Sequence, residues 1–141
     1  MEEKMFLEKD LSYKLMGCFY KVRNTYGSGL REKFYDQVLG EILSLEGLQF
    51  VEKPRVPLYS VQTGKVISFS IPDKLVADKI IIELKAKPFM SRDDIGQATE
   101  YLRITPYEIL YLVNFREQNF KPRRIICTND RKSFLSKCVT K

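Results

Sequence analysis

The stretch DKIIIELKAK, Asp78 to Lys87, constrains the fold more than any other part of the chain. Side chains alternate along a strand, so Glu83 and Lys85 share a face with Ile81, while Ile80, Ile82, Leu84 and Ala86 take the other. Neither face is polar throughout. That is the pattern of a central strand covered on both sides, where a charge is costly unless it is paired or holds a metal. The competing reading is an edge strand with an exposed Glu83–Lys85 pair.

The preceding segment, Ile71-Pro72-Asp73-Lys74-Leu75-Val76, is separated from this strand by a connection short enough for a hairpin. With residues 77–79 as the loop, Val76 opposes Ile80, Leu75 opposes Ile81 and Asp73 opposes Glu83. Opposed residues point to one face about 4.5–5.5 Å apart, so two carboxylates and a lysine would converge. A two-residue loop instead opposes Asp73 to Ile82 and turns it away from Glu83. Adjacent carboxylates raise each other's pKa unless a cation lies between them, and hard oxygen donors suit Mg²⁺ or Mn²⁺. A nearby lysine can orient a water or steady the charge that builds on a phosphate under attack. The group is a coherent site for phosphodiester hydrolysis.

Composition narrows the chemistry further. The 141 residues, 44% hydrophobic and 12% aromatic, suit one ordinary domain, 1–141, with its own core. Cys18, Cys127 and Cys138 are odd in number and lack CxxC spacing, so neither a disulfide framework nor a zinc site is expected. The absence of histidine removes Ser-His-Asp and Cys-His triads, histidine general bases and histidine-ligated zinc. The net charge of +6 favours a polyanionic partner, although lysine also serves solubility. No apolar run approaches the ~20 residues of a membrane span, and MEEKMFLEKD lacks the basic start and apolar stretch of a signal peptide. A cytoplasmic location is expected.

Along the chain, Leu11, Leu15, Cys18, Phe19 and Val22 have helical spacing that stops at Gly27. A second helix follows Gly29 and closes at Gly47. LQFVEK, RVPLYSVQ and KVISFSI read as strands, the last two joined by a turn at Thr63-Gly64; Pro54 and Pro57 suit an edge. After the central strand, SRDDIGQATEYLRIT reads as a helix with Ser91 as N-cap, Asp94 three residues on and Pro106 beyond its end. YEILYLVNF and RRIICT read as strands and NDRKSFLSKCVTK as a short terminal helix. This order, without repeats or linkers, predicts an α/β fold with a central mixed sheet flanked by helices.

Two helices carry further candidates. Glu32 lies near the Leu39–Leu43 stripe and about a quarter turn from the polar row Lys33, Gln37, Gly40 and Ser44, so it points toward the protein; a first-turn glutamate favoured by the helix dipole is the plain alternative. Gln97 and Tyr101, at i and i+4, flank the Ile95-Ala98-Leu102 stripe, as boundary residues on any amphipathic helix also would.

These residues resemble a known family. Gly29-Leu30-Arg31-Glu32-Lys33-Phe34-Tyr35 matches the GxxExxY signature of the GxxExxY proteins, a branch of the PD-(D/E)XK nuclease superfamily. Pro72-Asp73, then Glu83-Leu84-Lys85, resembles the superfamily's PD…ExK core, and Gln97-Ala98-Thr99-Glu100-Tyr101 is similar to its later QxxxY element. The likeness runs from about Leu11 to Thr128. Lys21-Val22-Arg23 stands where relatives usually show Glu-Val-His. The resemblance implies a restriction-endonuclease-like core, with Asp73 and Glu83 as metal ligands and the Leu84 carbonyl as a backbone ligand. It also implies Lys85 as the catalytic lysine, Glu32 as a metal or water ligand, and Gln97 and Tyr101 as substrate-side positions.

The expectation is therefore a Mg²⁺- or Mn²⁺-dependent nuclease acting on DNA ahead of RNA, without a membrane partner and with a homodimer as an open assembly. Lys121, Arg123, Arg124, Arg131 and Lys132 are candidates for phosphate contacts, with Arg123 and Arg124 foremost, or else a solvated basic tail. No helix-turn-helix, zinc finger or Gly-rich phosphate loop is visible. A nucleic-acid-binding module or an assembly subunit that keeps the fold with little catalysis is the alternative. A binder, however, has no use for acidic groups facing phosphates.

Overall fold

The structure, a computed structural model, describes residues 6–135, so Cys138 and the end of the expected terminal helix lie outside the described residues. Helix α1 (Lys9–Tyr26) buries Leu15, Cys18, Phe19 and Val22 and ends at Gly27, whose positive φ of 75° releases the chain from the helix. Helix α2 (Glu32–Leu45) buries Tyr35, Val38, Leu39 and Leu43. It also buries Gly40, which was expected in the polar row. A Cβ there would stand 3.2 Å from a Glu52 carboxylate oxygen and 3.4 Å from the Phe50 ring, so the bare glycine admits a polar cluster beneath the helix.

Among the described residues seven strands follow, in two sheets. β1 (Phe50–Glu52), β4 (Lys74–Val76), β5 (Ile80–Lys85), β6 (Ile109–Asn114) and β7 (Arg123–Ile126) form the main sheet in the order β1-β4-β5-β6-β7. Only β5 and β6 pair in parallel; the other neighbours are antiparallel. β5 is thus the middle strand. Helix α3 (Arg92–Arg103) makes the crossover between the parallel pair. Ser91 caps it reciprocally with Asp94. The run of three early strands splits: β2 (Val56–Tyr59) and β3 (Val66–Ser70) leave the main sheet and pair with each other, with a register shift between Leu58 and Tyr59. After β7 come a 3-10 turn at Asn129–Arg131 and helical residues 133–135.

Both faces of β5 are covered. Ile80, Ile82 and Leu84 join the core under α1 and α2, with Phe19, Tyr35, Tyr111 and Phe115. Ile81 joins a second core under α3, with Leu75, Ala98, Leu102 and Leu110. Burial of this kind is worth roughly 1.5–3 kcal/mol for each large side chain, which holds the strand in place whatever its charged positions cost. Among the described residues, no helix is long and apolar enough to cross a membrane.

Candidate active site

The β4–β5 hairpin decides the site. Its register pairs Val76 with Ile80, Leu75 with Ile81 and Lys74 with Ile82, as the three-residue loop requires. Ala77 and Asp78 adopt positive φ of 53° and 57°, and the Lys79 N–H donates to the Val76 carbonyl at 3.0 Å. This tight reversal leaves Asp73 opposite Glu83 one position beyond the paired residues. The Asp73 carboxylate accepts the Leu84 N–H at 2.7 Å and the Lys53 ammonium at 3.1 Å. It also meets Glu83. Burial first, and then a hydrogen bond shared with Asp73, push Glu83 up to about 8, against a pull from Lys85. Without a metal ion between the carboxylates, Glu83 holds its proton more tightly than an ordinary glutamate.

Around this pair the expected residues divide. Glu83, Lys85, Gln97 and Tyr101 line one cavity of about 250 Å³. The Tyr101 hydroxyl lies 2.7 Å from the Ser70 hydroxyl, and burial pushes it up to about 12. Glu32 opens α2 beside them; partial loss of solvent and then the Asp73 charge hold its carboxyl above the usual range, while Lys85 and Lys53 pull it down. Among the described residues, no three acidic or cysteine side chains stand close enough to form a metal cluster by themselves. Glu32, exposed at the start of α2, is near enough to feel the Asp73 and Lys85 charges but is not among the residues lining that cavity.

Tyr35 explains why Glu32 is held there. Its buried ring stacks on Phe115 with centroids 4.7 Å apart, and its hydroxyl donates to the Gly27 carbonyl at 2.6 Å and accepts the Leu30 N–H at 3.1 Å. The loop between α1 and α2 is pinned, and Glu32 with it. Arg23 has a different task. Its guanidinium donates to the Phe115 and Glu117 carbonyls at 2.9 and 2.7 Å, tying α1 to the turn after β6.

The basic residues near the C-terminal end are not brought to the cavity. Arg123 shares the sheet face of Glu83 but lies two strands away, paired to Glu117 at 2.9 Å. Arg124 is on the opposite face, donating to the Leu7 carbonyl with its guanidinium over the Phe6 ring. Lys132, expected in a phosphate-binding or solvated group, is buried instead. It donates to the Thr105 and Tyr107 carbonyls, and burial pushes it down to about 8.

Sequence reasoning missed a second charged group directly behind the first. Lys74 is fully buried on the α2 face, 2.7 Å from Asp36 and 2.9 Å from Glu52. Its signal was present: next to Asp73 and opposite Ile82, a lysine on the covered face must find carboxylates. Lys53, which bridges the two groups through Asp73 and Asp36 at 3.1 and 3.8 Å, had no such signal. A larger hollow of about 750 Å³ between α1 and α2 includes Cys18 in its lining, but no buried carboxylates converge there.

No curated protein and no solved structure matches the chain. A family model does match, over residues 9–125, from the start of α1 into β7. That span contains the carboxylate pair, Lys85 and the cavity, and the chain belongs to the PD-(D/E)XK nuclease superfamily.

Proposed function

We propose that this chain is a metal-dependent nuclease of the GxxExxY branch, hydrolysing phosphodiester bonds of DNA ahead of RNA, with Mg²⁺ or Mn²⁺ as cofactor. One observation carries the reading: Asp73 and Glu83 meet in a partly buried place where Glu83 resists ionising, with Lys85 on the same strand face. Two oxygen donors that repel each other without a cation are the right set for a hard divalent ion. Asp73 and Glu83 would hold it, with the Leu84 carbonyl, which leaves the strand from the same edge as the N–H bound to Asp73. When bound, such an ion supplies Lewis-acid stabilisation of charge on the phosphate oxygens.

The chain's own groups do the rest. Lys85 places a positive charge in the cavity where an attacked phosphate gathers negative charge. Glu32, at the rim with a raised affinity for a proton, orients a water and accepts a proton from it. Gln97 and Tyr101 line the wall on the substrate side. Arg123 and Arg124 are already engaged by Glu117 and by the Leu7 carbonyl, so phosphates fall to cations nearer the site.

The test is cleavage of circular and linear, single- and double-stranded DNA and RNA with Mg²⁺, Mn²⁺ or EDTA. Cleavage should need the divalent ion and disappear in Asp73→Ala, Glu83→Ala and Lys85→Ala. Undiminished cleavage in EDTA, or in all three variants, overturns the proposal.

A further inference from the structure

The β2–β3 hairpin carries an outer face that extends beyond the cavity of the site. On its outer face Ile67, Phe69 and Ile71 stand at alternate positions of β3 and the residue after it, and Ile67 and Ile71 are 70% and 64% exposed. Arg55 lies on the same face with its guanidinium 3.8 Å from the Phe69 ring centre. The inner face faces α3: Val56 is buried, the Tyr59 N–H donates to the Ile104 carbonyl at 2.9 Å, and Ser70 meets Tyr101 at 2.7 Å. The hairpin is therefore braced, and its apolar face is held outward.

Two further facts indicate what covers this face. Ser70 and Ile71 belong to the wall of the cavity that holds Glu83 and Lys85, so the exposed row runs straight into the site. From Lys53 to Pro72 the sequence contains Lys53, Arg55 and Lys65 and no acidic residue. A second copy of the chain laid on this face would bring like charges together, whereas a polyanion with flat apolar rings complements both features.

Resting on the nuclease reading, we infer that the outer face of β3 is a stacking platform for unpaired bases next to the scissile phosphate, so the substrate is single-stranded or locally unpaired nucleic acid. Phe69, backed by the Arg55 guanidinium, offers a ring and a cation to a base, and Ile67 and Ile71 flank it. From Ile67 to Ile71 the strand covers about 13 Å, enough for two to four nucleotides. Bases inside a duplex are already stacked and could not use the platform.

The test measures binding of fluorescent oligonucleotides in EDTA, where no cleavage occurs, with a single strand, a blunt duplex, and a duplex with a short single-stranded tail carrying 2-aminopurine. The parent should prefer the single strand and the tail and quench 2-aminopurine. Phe69→Ala should weaken single-strand binding by about five- to fifty-fold, abolish the quenching and leave blunt-duplex binding as it was. Ile67→Ser with Ile71→Ser should have a smaller effect in the same direction. Thermal unfolding checks that these exposed replacements leave the fold intact. Equal binding of single strand and duplex, unaffected by Phe69→Ala, overturns the platform but not the nuclease. Binding to no nucleic acid at all by the parent overturns the platform, and the nuclease reading is then decided separately by the cleavage assay with divalent metal. A dimer in sedimentation that Ile67→Ser dissolves overturns the platform by making this face a self-interface.

Discussion

Asp73 and Lys74 are neighbours in sequence and point to opposite faces of the same sheet, and the two charged groups they belong to differ in one respect. Behind the sheet, the fully buried Lys74 ammonium has two carboxylates at hydrogen-bond distance, the half-buried Asp36 and the exposed Glu52. In front, Asp73 and Glu83 present two carboxylates to each other, and Glu83 is pushed up to about 8. The rear lysine is fully enclosed by its partners; in front, Lys53 reaches Asp73 at 3.1 Å, but among the described residues no cation is ion-paired to Glu83. A structural cluster satisfies its members, whereas a site prepared for a ligand leaves a charge uncompensated.

This contrast can be broken by mutation. The largest expected effect is on chemistry in front: Asp73→Ala, Glu83→Ala or Lys85→Ala should each lower the cleavage rate by about a thousand-fold or more, roughly 4 kcal/mol of barrier, with the fold retained. Rate measurements together with thermal unfolding separate loss of activity from loss of structure. Behind the sheet the expectation is reversed. Lys74→Ala leaves Asp36 and Glu52 facing each other and should destabilise the protein by about 3–5 kcal/mol in denaturant titration. If Lys74→Ala costs no stability, the rear cluster is not the closed structural group described.

Glu83→Gln sharpens the comparison through pH. Glu83's pKa in the folded chain is raised from its ordinary 4.5 to about 8, so the stability its bound proton provides is complete below about pH 4.5 and is lost as pH rises through about 8. Glutamine mimics the protonated form at every pH. The variant should therefore match the parent near pH 4 and exceed it by about 1–2 kcal/mol at pH 9 without divalent metal. A parent whose stability does not fall across this range contradicts the raised pKa. The smallest effect belongs to Tyr101→Phe, which removes the hydroxyl bonded to Ser70 and should slow cleavage by about two- to ten-fold.

How much of this could be read from the chain depends on the range of the interaction. Alternation along residues 80–86 and a short connection are local facts; they put Glu83 on a central strand and, with the three-residue loop as the assumed register, Asp73 opposite it, which the β4–β5 pairing bears out. Ser91 and Asp94 likewise signalled their helix start. Non-local choices were hidden. Nothing local says that β2 and β3 would leave the main sheet, and Gly40 looked polar by helical position because the carboxylate above it comes from β1. The basic run at residues 121–132 looked like one feature, yet β7 pairing sends Arg123 and Arg124 to opposite faces and folding buries Lys132 against carbonyls after α3.

The central claim is that the front carboxylates are prepared for a divalent cation, and calorimetric titration of Mg²⁺ at pH 7 in two buffers of different protonation enthalpy tests it most directly. Because Glu83 still holds its proton at that pH, binding at Asp73 and Glu83 must expel it. The expected result is one Mg²⁺ per chain with close to one proton released, and neither binding nor release in Asp73→Asn or Glu83→Gln. Magnesium binding that releases no proton and survives both substitutions, or no binding by the parent, would contradict the account.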